Sequence, residues 1–223
     1  MRILFCNIAY MKYYKGRYDE DVPEGGGSWV DEHGYGGEVY NFKPETMMLE
    51  GETTESKYCL GFFETKSNNG KPNQLHIEKI RGCELLAHEE SVEDVLVVWC
   101  ATHPIHKFTT VVGWYRHAMV YRYYQTMRFD AIGDGGYYQD YNVIARAEDC
   151  VLLPTVLRSR KVVWEAPRRK AKGRSYGFGR ANVWFAEDSG NPGLEEYIKQ
   201  LEEKINGYDG ENWIDKYPEE VDR

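Results

Sequence analysis

The sequence predicts an α+β domain, a compact β-barrel-like sheet of short strands with a few flanking helices. Three observations lead there. Short runs rich in Val, Ile, Trp and Tyr recur between clusters of Gly, Asn, Asp and Pro, the pattern of strands separated by turns. One segment, Leu194–Asn206, repeats its apolar residues at helical spacing. A hydrophobic content of 42% over 223 residues is enough for a real core, with no compositional sign of wholesale disorder.

Taken in order, Arg2–Ala9 reads as a central strand. Asn7 is polar within it and needs a partner if buried, either as a structural hydrogen bond or as a group that reads a ligand edge. Tyr10–Lys15 is aromatic and basic, and Asp19–Glu24 is an acidic loop. A glycine-rich stretch follows and frames Ser28, Trp29, Tyr35, Tyr40, Asn41 and Phe42. Aromatic residues on such loops are candidates for a binding pocket. No GK[ST] follows these glycines and no GxGxxG opens a helix, so neither a P-loop nor a dinucleotide fingerprint is present.

Glu45–Ser56 is a polar excursion, Tyr58–Glu64 a strand, Ser67–Asn73 a turn cluster and Leu75–Ile80 another strand. Arg81–Glu90 has no clear pattern. Val95–Ala101 and Thr109–Trp114 form a buried hairpin around the loop Thr102–Phe108, which carries His103, Pro104, His106 and Phe108. Trp99 and Trp114 frame this hairpin as core residues or as walls of an aromatic pocket. Tyr121–Asp140 reads as a surface loop or β-excursion and Tyr141–Ala147 as a strand. After Asn191-Pro-Gly, the residues Leu194, Tyr197, Ile198, Leu201 and Ile205 mark an amphipathic helix that Gly207 ends. Tyr208–Arg223 is a polar, acidic tail. The chain thus divides into residues 1–186 and a C-terminal helix and tail, 187–223.

Charge is unevenly spread. The net charge is −8, which taken alone argues against nucleic acid. Residues 158–180, however, hold nine Lys or Arg against the single acid Glu165, a local +8, leaving −16 for the rest. Such a block is either a solvated loop or an anion-binding face. Aromatic content reaches 14%, with 18 Tyr and 6 Trp, an excess that suits recognition surfaces as well as cores. Five scattered cysteines without a CxxC pair argue against a disulfide framework or a zinc knuckle. The apolar N-terminus is short and lacks a small-residue cleavage site, and no run reaches membrane-spanning length. These features predict a reduced, cytoplasmic protein with no membrane partner.

Catalytic signatures are missing from the sequence. His103 and His106 with Cys100 nearby make a metal site on paper, but Pro104 between the histidines and a loop setting weaken it, and no second ligand cluster is evident. There is no nucleophile elbow, no HExxH and no deaminase signature. No cofactor and no metal are implied.

Four ordered motifs do accumulate: FCNIAYMKYYKG, GGSWVDEHGYGGEVYNF, DVLVVW followed by VVGWYRHAMVYR, and GFGRANVWFA. Together they resemble the N-terminal region of EVE-HNH modification-dependent endonucleases, over nearly all of the chain to about Ala186. The resemblance implies an EVE domain, a small β-barrel with flanking helices related to the PUA, ASCH and YTH folds. It also implies binding of double-stranded DNA that carries a modified cytosine, flipped into an aromatic pocket, in restriction or phage defence. After Ala186 there is no HNH constellation, which implies a stand-alone reader or a nuclease on another chain.

Candidate pocket residues are Asn7, Tyr10, Trp29, Tyr40, Asn41, Trp99, Thr102, His103, Trp114, Asn182 and Trp184, with two or three of the aromatics expected to be walls. Arg168, Arg169, Lys170, Lys172, Arg174 and Arg180 are the expected phosphate contacts. Two other readings remain: a nuclease with its metal at His103 and His106, and an RNA-binding module of the same fold.

Overall fold

The computed structural model describes residues 1–16, 18–25, 37–65, 74–129, 137–169, 173–187 and 190–218. Eight strands form one sheet: β1 (Arg2–Ile8), β2 (Pro44–Met47), β3 (Ser56–Gly61), β4 (Ser91–Thr102), β5 (Thr109–Phe129), β6 (Tyr137–Arg146), β7 (Cys150–Leu152) and β8 (Val183–Trp184). Their order is β2-β3-β6-β5-β4-β1-β8, with β7 pairing β5 beside β6. Among the described residues three helices complete an α+β architecture: α1 (Thr155–Arg158), α2 (Lys161–Trp164) and α3 (Pro192–Asn206).

The expected closure into a barrel does not occur. The strand path ends at β2 on one side and at β8 on the other. A barrel has a single interior, whereas here both faces of the central strands are buried. Along β1, Leu4, Cys6 and Ile8 face one core and Ile3 and Phe5 the other. Along β4, Val95, Val97, Trp99 and Ala101 face the first, and Leu96, Val98 and Cys100 the second. Strands buried on both faces read as continuous apolar runs, as LVVWCA does, and need a layer on each side. Tyr14, Phe42, Phe63 and Ile77 cover the first face, and α3 covers the second through Leu194, Ile198, Leu201 and Ile205. The helix starts at Asn191, whose side chain accepts from the amides of Gly193 and Leu194.

β1 and β4 run parallel, with Arg2 opposite Val95 and Ile8 opposite Ala101. β4 and β5 are antiparallel and longer than the hairpin expected from sequence. Tyr121–Phe129 continues β5 and Tyr137–Asp140 opens β6, where the sequence suggested a surface loop or excursion. Leu75–Ile80 is not a strand but holds a 3-10 turn at Ile77–Lys79, and its apolar residues anchor a loop. Two glycines inside strands permit close approach. A Cβ on Gly113 would sit 2.2 Å from the Val151 carbonyl oxygen, and one on Gly61 would sit 2.4 Å from the Trp99 ring.

Two buried cations tie distant segments together. Arg158 donates to the carbonyls of Leu153 (2.7 Å), Met11 (2.6 Å) and Lys12 (2.9 Å). Lys15 donates to the carbonyls of Phe42 and Ile214, so the segment after α3 is fastened to the core. Burial pushes the Lys15 ammonium down to about 8. Among the described residues, no helix is long and apolar enough to cross a membrane.

Candidate functional site

Because β1 and β4 are parallel, their carboxyl ends emerge on the same side, next to the start of β5. That end collects Asn7, Tyr10, Thr102, His103 and Asn182 from three separate stretches of the sequence, and it divides into two halves, the first closed around His103.

In the closed half, His103 organises its own loop. Its Nδ1 accepts from the amides of Ile105 and His106, both at 3.2 Å, so Nε2 carries the proton and donates to Ser159 Oγ at 2.9 Å. Burial lowers its pKa, and His106 and Arg158 add to the effect, which keeps the ring neutral. Both nitrogens are therefore engaged by protein groups, an arrangement that suits a loop anchor better than a metal ligand. Among the described residues no cluster of His, Cys, Asp and Glu is placed to hold a metal ion. The Tyr10 ring lies 5.3 Å from His103 and 5.7 Å from the Arg158 guanidinium, packed into this polar-aromatic knot. Thr102, the last residue of β4, is exposed at its rim.

In the other half, β8 runs antiparallel to β1, with Trp184 opposite Phe5 and the Asn182 carbonyl accepting from the Asn7 amide at 2.7 Å. Alternation places Phe5, Asn7, Asn182 and Trp184 on the face that α3 covers. Three buried polar atoms here make no hydrogen bond: Asn7 Oδ1, Trp184 Nε1 and Tyr197 Oη. They sit among stacked rings. Trp184 lies 4.4 Å from Phe5, 6.2 Å from Tyr197 and 6.5 Å from Tyr176. A buried polar atom left without a partner costs about 1–3 kcal/mol, so an acceptor, a donor and a hydroxyl unmatched in one neighbourhood form a deficit that a bound polar group removes.

The remaining expected pocket residues are not brought to this place. Trp99 and Trp114 are fully buried in the two cores. Their indole N–H groups also lack partners. Each ring is nevertheless enclosed by packing, Trp99 against Phe63 and Tyr115, and Trp114 against Trp164 and Tyr208. Neither forms a wall of an open pocket. Asn41 is structural, exchanging hydrogen bonds of 2.8 and 2.9 Å with the Phe62 main chain. Tyr40 stacks on Tyr137 at 5.7 Å, on the far part of the sheet. Trp29 lies outside the described residues, as do Lys170 and Lys172.

The basic block is partly used up within the fold. Arg158 is buried, Arg168 donates from Nε to Thr109 Oγ1 at 2.6 Å, and Arg174 pairs with Glu165 at 3.2 Å. Arg160, Lys161, Arg169 and Arg180 are exposed, Lys161 lying 4.0 Å from Glu165, and Arg180 is two residues before Asn182, which bonds the end of β1. Tyr176 and Tyr197 were not among the residues the sequence pointed to. The only signal for Tyr197 was its place on the apolar stripe of α3, which reads as packing.

No family model, no curated protein and no solved structure matches the chain.

Proposed function

We propose that the chain is a DNA-binding reader of a modified base, an EVE-like module whose sheet is open rather than closed. The base is a modified cytosine such as 5-methylcytosine or 5-hydroxymethylcytosine, flipped out of the duplex and read at the carboxyl ends of β1 and β4. In this reading the protein acts in the cytoplasm, in restriction or phage defence, with cleavage carried by a nuclease elsewhere. The observation that carries the proposal is the set of unmatched polar atoms at Asn7, Trp184 and Tyr197, held among aromatic rings.

The chemistry is consistent with that substrate. Extruding a base costs a few kcal/mol, and stacking on aromatic rings returns about 1–3 kcal/mol. The cytosine edge offers an amino donor beside two acceptors. Asn7 Oδ1 complements the donor, and the Trp184 N–H or the Tyr197 hydroxyl complements an acceptor. A methyl group adds only shape and apolar contact, so no acid, base or metal is required. Arg169 and Arg180 would hold phosphates, making affinity strongly salt dependent.

The test is a titration at fixed low salt with duplexes that differ in one base: cytosine, 5-methylcytosine, 5-hydroxymethylcytosine, glucosylated cytosine or N6-methyladenine. A reader prefers one modified duplex by tenfold or more, about 1.4 kcal/mol. Asn7→Ala and Tyr197→Phe reduce that preference, whereas Arg180→Ala weakens all duplexes alike. Equal weak binding to every duplex overturns the proposal, and tighter binding to methylated single-stranded RNA transfers the site to RNA.

A further inference from the structure

A second recognition surface lies at the other end of β4. Asp94 is eight residues before Thr102, about 26 Å away at the rise of a strand. Here both strands of the β4–β5 pair are bulged: Asp94 and His117 adopt left-handed conformations (φ 56° and 48°), and the register shifts between Val92 and Val97. The His117 ring and the Asp94 carboxylate meet at 2.7 Å and project outward, 69% and 75% exposed. Beside them opens a groove of about 550 Å³. That volume is within the range of roughly 300–1,000 Å³ typical of binding clefts.

The groove has an apolar floor and an acidic rim. Leu49, Tyr58, Met119 and Ile144 form the floor, while Glu93, Asp94 and Asp149 supply carboxylates. The one arginine that lines it, Arg146, is held by Glu52 at 2.6 Å and by Ser56 Oγ at 3.0 Å, so its charge is already compensated. The floor continues into an apolar cluster of strand residues that includes Leu60, Tyr141 and the partly buried Met47, Met127 and Phe129. The apolar residues of α3 belong to a different cluster, packed around β1 and the start of β5.

From this geometry we infer that the groove docks a cationic polypeptide segment, one that places an apolar side chain on the floor and lysine or arginine against Glu93, Asp94 and Asp149. Charge decides the class of occupant. Three carboxylates repel a phosphate backbone, whereas they steer a basic segment in and fix its register. The Met119 side chain on the floor adapts to varied apolar anchors without a large packing cost. Separation along β4 keeps the groove clear of the carboxyl ends of β1 and β4, so docking does not depend on what binds there.

The probe is a fluorescein-labelled nonapeptide of alternating Lys and Val, with Lys–Ser and Glu–Val nonapeptides as comparisons, added to the whole chain carrying methyl-labelled methionine. The Lys–Val peptide raises anisotropy and shifts the Met119 methyl signal, with Met11, buried in the opposite core, as the unmoved internal reference. Glu93→Lys combined with Asp149→Lys lowers the affinity at least tenfold while the unbound methyl spectrum stays that of a folded protein. Equal binding of the Lys–Ser peptide, a shift at Met11 in place of Met119, or no binding at millimolar peptide overturns the inference.

Discussion

Replacing Arg158 by Met tests whether a single buried cation holds the segment after β1 to the end of β7. The guanidinium is fully buried and bonds three main-chain carbonyls, the nearby Leu153 and the distant Met11 and Lys12. Met keeps much of the volume but leaves those three acceptors without donors. Each orphaned carbonyl costs about 1–3 kcal/mol, which puts the gross loss near 5 kcal/mol. Removing a buried charge returns part of that, because its desolvation is no longer needed. The expected net loss is about 3 kcal/mol. For a chain of this size the urea dependence is about 3 kcal/mol per molar, so the unfolding midpoint falls by about 1 M. Arg160→Met, at an exposed position two residues on, is the control and stays within about 0.5 kcal/mol of the parent. Tryptophan fluorescence during urea titration reads both. An Arg158→Met midpoint within 0.2 M of the parent, on the scale set by that dependence, would refute the reasoning: either the carbonyls find other donors or the network carries little energy.

Two further outcomes follow from the packing and the titration of the core. Gly113→Ala places a methyl 2.2 Å from the Val151 carbonyl oxygen and 2.7 Å from the Phe42 ring, and the backbone atom cannot swing aside. It should cost about 3 kcal/mol or more, whereas Gly179→Ala, with nothing within 4 Å, leaves the melting temperature nearly unchanged. Lys15 titrates near 8 in the folded chain, below its unfolded value of about 10.4. Below pH 8 the full cost of burying its charge is present. As pH rises from 8 to about 10.4 the folded state loses this proton first, the unfolded state binds more protons, and stability rises by up to about 3 kcal/mol. Subtracting the profile of Lys15→Met cancels the opposing ionisation of the buried thiols and tyrosines. A difference that stays flat across that pH window would sink the assignment.

The parts of the fold that were legible in the sequence are those whose burial leaves a local pattern. LVVWCA announced a buried strand, and Leu194, Ile198, Leu201 and Ile205 announced a helix with one apolar stripe. Tyr121–Asp140 read as either a surface loop or a β-excursion, and its described residues Tyr121–Phe129 and Tyr137–Asp140 are strand. Its long strand is fixed by pairing with Tyr137–Tyr141, a partner that local composition does not reveal. Leu75–Ile80 was misread because apolar residues that anchor a loop look like those of a strand.

The site divides along the same line. The sequence by itself determined which chemical groups are available: an asparagine inside a strand, an excess of aromatic rings, and a basic block in an acidic chain. Tertiary structure alone decided their use, because a ring or a cation is core or surface according to what packs on it from elsewhere in the chain. Trp99 and Trp114 vanish into two cores, Arg158 becomes an internal clamp and His103 an anchor for its own loop. Asn7, Trp184 and Tyr197, spread across 190 residues of sequence, end as neighbours with unmatched polar atoms because β8 pairs with β1 and α3 lies across them.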